Sequence, residues 1–270
     1  MTLTVAAISV YIQALQRHAQ APRVIDCKRL NALVRYLKRG RIGIWYTKLK
    51  GPWRLVAVSD AAFRAQPEDS SGLALRGCVI LLVSDSDTSP ASADAKCHML
   101  EFVCRRLRRV IRSTYSGELN ALVDTIELLL VIQMSLYQIY GNPGVTATEM
   151  AGLMENGELM PPVEAVTDAR SVFDSIAAQD VGELQEGSLK LHLLSVRDRL
   201  ASGTLKRLWW SDTRDMLADG LTKGTVSRNQ LVECGEKGLY RVVHQPAMTT
   251  TVNGRKVTTG NSICNQGKRD

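Results

Sequence analysis

Four carboxylates, Asp60, Glu118, Asp168 and Asp219, are set along the chain so that each falls where an extended run ends or a helical run begins. Asp60 closes Leu55-Val56-Ala57-Val58-Ser59, and Asp168 closes Val163-Glu164-Ala165-Val166-Thr167. Glu118 follows Arg112-Ser113-Thr114-Tyr115, which reads as the end of a strand and the start of a helix. Asp219 lies in Met216-Leu217-Ala218-Asp219-Gly220-Leu221-Thr222-Lys223, just after the apolar run Leu208-Trp209-Trp210. Side chains alternate across a strand, so Asp60 shares a face with Val56 and Val58. Two acids at strand ends and two on helices can converge on one point. Converging carboxylates repel one another and need cations, and two divalent ions about 3.5–4 Å apart are a common device for cutting a phosphodiester. Taken singly, each acid has a plainer reading. Asp60 and Asp168 can cap turns. Glu118 suits the first turn of a helix, by dipole and by a capping box with Ser113 or Thr114. Asp219 has a rival in Asp215, one helical turn earlier, which is expected near the helix start and solvated.

The chain has 270 residues, of which 45% are hydrophobic, enough for one sizeable domain with flanking pieces. Its formal net charge of +7 suits a polyanionic partner without proving one. The six cysteines (27, 78, 97, 104, 234 and 264) form no Cys-x-x-Cys, and only Cys97-His98 sets a cysteine beside a histidine. They read as reduced thiols of an intracellular, non-secreted protein, cytoplasmic or nuclear, and a zinc site is not expected. The N-terminus lacks the positive region of a signal peptide, and Val5, Ile8, Ile12 and Leu15 follow helical spacing instead. Leu128 to Ile132 is too short an apolar run to span a bilayer, which takes about 20 apolar residues. No membrane partner is expected.

Periodicity predicts helices over 5–18 and, capped by Asp26, up to Gly40. A strand is expected over 42–47, and Gly51-Pro52 marks a turn. Three strands follow at about 53–59, 76–84 and 104–112, then a long helix at about 115–139. Residues 145–160 admit a short inserted helix. A strand ends at Asp168. Two helices follow, one carrying Val172, Phe173 and Ile176 and one carrying Leu189 to Leu200. A fifth strand at 205–211 leads to a last helix, capped by Asp212 or Thr213 and carrying Met216 to Leu221. The sequence divides into 1–50, 51–230 and a polar extension, 231–270, expected to be largely disordered.

The ordered motifs Ser59-Asp60-Ala61, Arg112-Ser113 to Glu118, Thr167-Asp168-Ala169 and Leu217-Ala218-Asp219-Gly220-Leu221-Thr222-Lys223 resemble the ribonuclease H domain of copia-type LTR retrotransposon Pol polyproteins. Arg35-Tyr36-Leu37-Lys38 and Gly43 to Tyr46 resemble the end of the reverse transcriptase that precedes it there. The resemblance covers roughly residues 8–227, in order. It implies an α/β, ribonuclease H-like fold, a mixed five-stranded sheet flanked by helices, behind an N-terminal helical remnant of the polymerase's thumb or connection region. The polymerase core is not among these residues, so no DNA synthesis is expected.

The activity implied by the resemblance is endonucleolytic hydrolysis of the RNA strand of RNA–DNA hybrids, by recognition of hybrid shape and the 2′-hydroxyl. Asp60 would bridge two Mg²⁺ ions (Mn²⁺ as substitute), with Glu118 and Asp168 on one and Asp219 on the other. No small-molecule cofactor is implied, and other polyprotein regions are implied partners. Arg105, Arg106, Arg108, Arg109 and Arg112 form the best nucleic-acid footprint, through phosphate contacts that carry no sequence information. The plainer reading is an edge strand kept unpaired by charge. Trp209-Trp210 invites a stacking role, but core packing of one Trp fits better. His192 is the only histidine near the last acid, and a Gly187-Ser188-Leu189-Lys190 stretch stands where the family often has Lys-His-Ile-Asp. The family also often has Trp at the position of Phe63 and Ala-Glu-Ala-Glu-Tyr at residues 116–120. A hybrid-binding module that has lost turnover is the alternative. An integrase-like member of the fold is disfavoured by the motif around Asp219.

Overall fold

The computed structural model describes residues 5–40, 43–63, 74–84, 95–107, 110–178, 187–242, 244, 247–252 and 255–260. Its centre is a mixed sheet built on β1 (Trp53–Ala62). β2 (Leu75–Ser84) runs antiparallel to β1, and β3 (Ala95–Arg106) runs antiparallel to β2. On the other side β4 (Val163–Thr167) runs parallel to β1, and β5 (Arg207–Trp210) runs parallel to β4. The order β3-β2-β1-β4-β5 is the ribonuclease H-like arrangement. Three further strands extend it: β6 (Leu239–Tyr240) beside β3, then β7 (Ala247–Val252) and β8 (Arg255–Gly260) beyond β5.

β1 is buried on both faces, which is why it reads as a continuous apolar run rather than an alternation. Leu55 and Ala57 pack beneath α3 (Thr114–Tyr140), α5 (Arg170–Ala177) and α6 (Gly187–Ser202). Val56 and Val58 pack on the opposite side with Met216, Leu217, Leu221 and Leu231. α3 starts at Ser113, whose hydroxyl accepts the Ser116 N–H at 3.1 Å, and stops at Gly141. Its Leu119, Leu122, Ile126 and Leu129 form a helical stripe against the sheet. Residues 145–160 do contain a helix, α4 (Ala147–Glu155), closed by a reciprocal Thr146–Glu149 cap.

A buried polar knot ties three parallel strands. Glu164 of β4 is 1% exposed and accepts from Arg207 at 2.6 Å and from the Trp209 indole at 2.9 Å. Buried Arg54 of β1 lies 4.0 Å away. The core-packing reading therefore holds for Trp209, which is 4% exposed.

Several boundaries differ from expectation. The third strand spans Ala95–Arg106 rather than 104–112: its pairing with β2 closes one residue further on, where the Leu107 N–H donates to the Ala74 carbonyl, and Leu107 and Ile111 form a small cluster with Ala74. Asp26 does not precede α2 (Val24–Arg39). It sits in its first turn and reaches back to the Arg23 N–H at 3.1 Å. Residues 43–48 form no strand, and Trp45 is tied only by its N–H to the Gly235 carbonyl among the backbone bonds found there. The described part of the C-terminal extension carries regular elements. α8 (Asn229–Lys237) buries Leu231 and Cys234, and β7 covers the outer edge of β5. A bare β5 edge would leave backbone donors and acceptors unpaired. The N-terminal segment also joins the main body, since Ala6, Ala7, Ile8 and Val10 are buried around α1 (Ser9–Gln16).

Candidate active site

Parallel pairing of β1 and β4 puts Ser59 opposite Thr167, so the next residues, Asp60 and Asp168, lie side by side at one end of the sheet. α3 begins at the same end and brings Glu118 over them. Asp60, Glu118 and Asp168 each place an oxygen within 4.8 Å of the others. Each acid is held by the chain around it. The Glu118 carboxylate accepts the Ala61 N–H at 3.1 Å. The Thr213 hydroxyl donates to Asp168 at 3.2 Å, and the Trp210 indole donates to the Asp168 carbonyl at 2.9 Å. Asp60 accepts the Thr222 hydroxyl on one oxygen and lies 3.4 Å from the Lys223 ammonium on the other.

The fourth acid is placed differently. The expected last helix is broken into a single 3-10 turn (Thr213–Asp215), capped by the Asp212 side chain, an extended Met216, and the short α7 (Asp219–Thr222). Asp219 opens α7 and is 6% exposed, with Lys223 2.6 Å from its carboxylate. It therefore meets Asp60 through Lys223 and is not in the three-oxygen cluster. Asp215 is not the solvated residue it was expected to be. It is 2% exposed and accepts the N–H and Nδ1 of His244, at 2.5 and 3.0 Å. The returning C-terminal chain covers it.

α7 can approach Asp60 because β2 carries Gly77 directly opposite it. A methyl group at Gly77 would stand 2.7 Å from Thr222 Cγ2 and 2.9 Å from the Ala218 carbonyl. Gly77→Ala is expected to lower stability by about 1–3 kcal/mol and to push Thr222 and Lys223 off Asp60. Denaturant unfolding and cutting assays on the same preparation check both effects.

Burial, then Asp60 and Asp168, push the Glu118 carboxyl up to about 9. Burial first and Asp60 second raise Asp219 to about 7, and the same two causes raise Asp168. A carboxyl whose folded-state value is raised binds more protons folded than unfolded. Its stabilising contribution is complete below its unfolded value and is lost as pH climbs to the folded one. The metal-free protein should therefore melt at falling temperatures from about pH 4.5 to about pH 9. Glu118→Gln should flatten the upper part of that decline, and Mg²⁺ should oppose it, because a cation prefers the ionised acids. Thermal melts across that range with EDTA or with Mg²⁺ test this; identical slopes for wild type and variant would refute it.

The arginine cluster is dispersed. Arg105 and Arg106 end β3, Arg112 is exposed before α3, and Arg108 and Arg109 lie outside the described residues. Arg105 and Arg106 line a polar cavity of about 430 Å³ with Arg76, Asn120 and His192. His192 thus faces this cavity and not the carboxylates. A second, mostly apolar cavity of about 880 Å³ separates the N-terminal helices from the acids, with Val10, Leu15 and Leu33 on one wall and Ala61, Glu118 and Lys223 on the other. The Tyr11 hydroxyl closes one side by donating to the Gly224 carbonyl at 2.9 Å.

No family model and no curated protein matches the chain. Solved structures of ribonucleases H do. LC11-RNase H1, isolated from compost by a metagenomic approach and solved with an RNA/DNA hybrid, is 12% identical, over 63% of this chain and 93% of its own, with a TM-score of 0.35. RNase H1 from the halophilic archaeon Halobacterium salinarum NRC-1 is 13% identical, over 69% and 94%, at 0.30. LC9-RNase H1, a type 1 enzyme with the type 2 active-site motif, is 10% identical, over 79% and 81%, also at 0.30. At such scores the strand order, not the superposition, assigns the fold. The chain holds a ribonuclease H-like domain.

Two contributors escaped the sequence reading. Thr222 and Lys223 were visible only as motif letters. The one available signal was Lys223 four residues after Asp219, a spacing that stacks two side chains on a helix.

Proposed function

We propose that this chain is a metal-dependent endonuclease that hydrolyses the RNA strand of RNA–DNA hybrids, and that it is the ribonuclease H part of a copia-type Pol polyprotein. The observation that carries the catalytic half is the meeting of Asp60, Glu118 and Asp168 at one sheet end, oxygens within 4.8 Å. Three carboxylates offset by one neighbouring ammonium, Lys223 at 3.4 Å from Asp60, suit a hard, oxygen-seeking divalent cation, Mg²⁺ first. Glu118, held up to about 9 by burial and by its acidic neighbours, is the mark of a site that wants such charge. When bound, the cation supplies the positive charge that makes water a nucleophile at neutral pH and offsets charge on the phosphoryl oxygens.

The protein's own part is placement. The Ala61 N–H, the Thr213 hydroxyl and the Thr222 hydroxyl fix the three acids before substrate arrives, so little reorganisation remains at the moment of reaction. Arg105 and Arg106, on the cavity beside Asn120 to Glu127 of α3, supply contacts to the phosphates of the nucleic-acid backbone. The origin in a copia-type element is supported by the ordered motifs, above all Leu217 to Lys223.

End-labelled hybrid, single-stranded RNA and duplex DNA incubated with Mg²⁺ test the reading. Internal cuts in the RNA of the hybrid alone are the expected result. Hybrid binding without any cutting at any divalent ion would overturn it in favour of a binding module.

A further inference from the structure

We propose that the Lys223 ammonium stands in for one of the two cations the acids were expected to share, so that this site takes a single divalent ion, at Asp60, Glu118 and Asp168. This rests on the metal-site reading above and departs from its two-ion form. The resemblance assigns Asp60 and Asp219 to a second ion. In the structure the space between those two acids is filled from within the chain. Lys223 Nζ lies 2.6 Å from Asp219 Oδ1 and 3.4 Å from Asp60 Oδ1. The other Asp60 oxygen takes the Thr222 hydroxyl. Asp219 correspondingly falls outside the group of oxygens close enough to share an ion, while the other three acids fall inside it.

The arrangement is built rather than incidental. Lys223 follows Asp219 by four residues, across the single turn of α7, so its side chain is directed onto Asp219 by helix geometry. Gly77 lets that turn settle on β2. The two carboxylates are 1% and 9% exposed, and the lysine is 32% exposed, its stem along the apolar cavity and its head on the acids. A Mg²⁺ ion bound to these oxygens would sit at about 2.0–2.1 Å from each. An ammonium hydrogen-bonded to the same Asp219 oxygen would then be within a few ångströms of a doubly charged ion, between two carboxylates that are themselves almost wholly buried. One of the two cations must leave, and the tethered one loses far less freedom by staying. Lys223 is thus a positioning residue, fixing Asp60 and Asp219 with a charge that needs no binding step.

Counting Mn²⁺ decides the matter without reference to turnover. Free Mn²⁺ is followed by electron paramagnetic resonance as the full chain is titrated, for wild type, Lys223→Met, Lys223→Arg and Asp60→Asn. One ion in wild type and in Lys223→Arg, and two in Lys223→Met, is the expected result. Two ions in wild type would show the lysine displaced, and one ion in a folded Lys223→Met would show that it excludes nothing; either overturns the proposal and leaves the metal site standing. No ion in wild type, as in Asp60→Asn, would instead sink the metal site itself. Should Lys223→Met fail to fold, Lys223→Gln carries the same expectation of two.

Discussion

Asp60→Asn should lower cutting of the RNA strand by more than about a hundredfold, since even residues that only support metal ligands cost 10–100-fold when lost. Asp60 is fully buried, at the end of the central strand, and it is the neighbour that raises all three other acids. It is thus the residue through which the four act on one another. The exchange keeps the size and the acceptor for Thr222, while removing the charge that draws a cation. Hybrid binding, which draws on arginines elsewhere, should persist. Single-turnover cutting at saturating Mg²⁺, with binding measured in EDTA, separates the two effects. Cutting at the wild-type rate would remove Asp60 from the chemistry.

Glu164→Ala should act in the opposite domain of behaviour, costing about 3–5 kcal/mol of stability, because removing one partner leaves buried charge uncompensated. Glu164 lies on the same strand as the residues leading to Asp168, yet its surroundings are cationic and donor-rich: Arg207, the Trp209 indole and Arg54. Asp168 and Glu118 are surrounded mainly by other acids. Denaturant midpoints should therefore fall for Glu164→Ala and hold or rise for Glu118→Gln without metal. If Glu164→Ala unfolds at the wild-type midpoint, the knot across β1, β4 and β5 holds nothing together.

This contrast also marks how far the sequence could be read. The strand-end acids were legible because a run such as Leu55–Ser59 is apolar for reasons of its own burial, and the acid that closes it is conspicuous. The order of five strands and the long helix followed from the same local periodicities. What stayed hidden depends on contacts between distant segments. The third strand was misplaced because Ala95, Cys97 and Met99 alternate only weakly after a loop-like stretch, while Arg105 to Arg112 carries β-branched residues and strong charge. Asp215 reads as solvated because nothing near it in sequence announces that His244 returns to it. Residues 249–251 are three threonines, polar enough to suggest a tail, yet β-branched residues suit a strand once an open edge such as β5 is offered. The part played by Lys223 could be seen only with Asp60 and Asp219 placed on either side of it.

The long helix α3 carries a consequence for how the molecule is made. By length and apolar content alone it could cross a bilayer, although in the fold half of its most apolar stretch is buried against the sheet and its neighbouring helices. What covers it in the finished protein includes Val163, Phe173, Leu193 and Leu208, all synthesised later. A ribosome adding about 5–20 residues per second leaves the nascent helix without that cover for several seconds, open to any factor that sorts emerging apolar segments. Copies cut short by a stop codon between residues 140 and 163 would keep that helix and never gain its cover, so they should be cleared or misdirected to membranes while full-length copies escape.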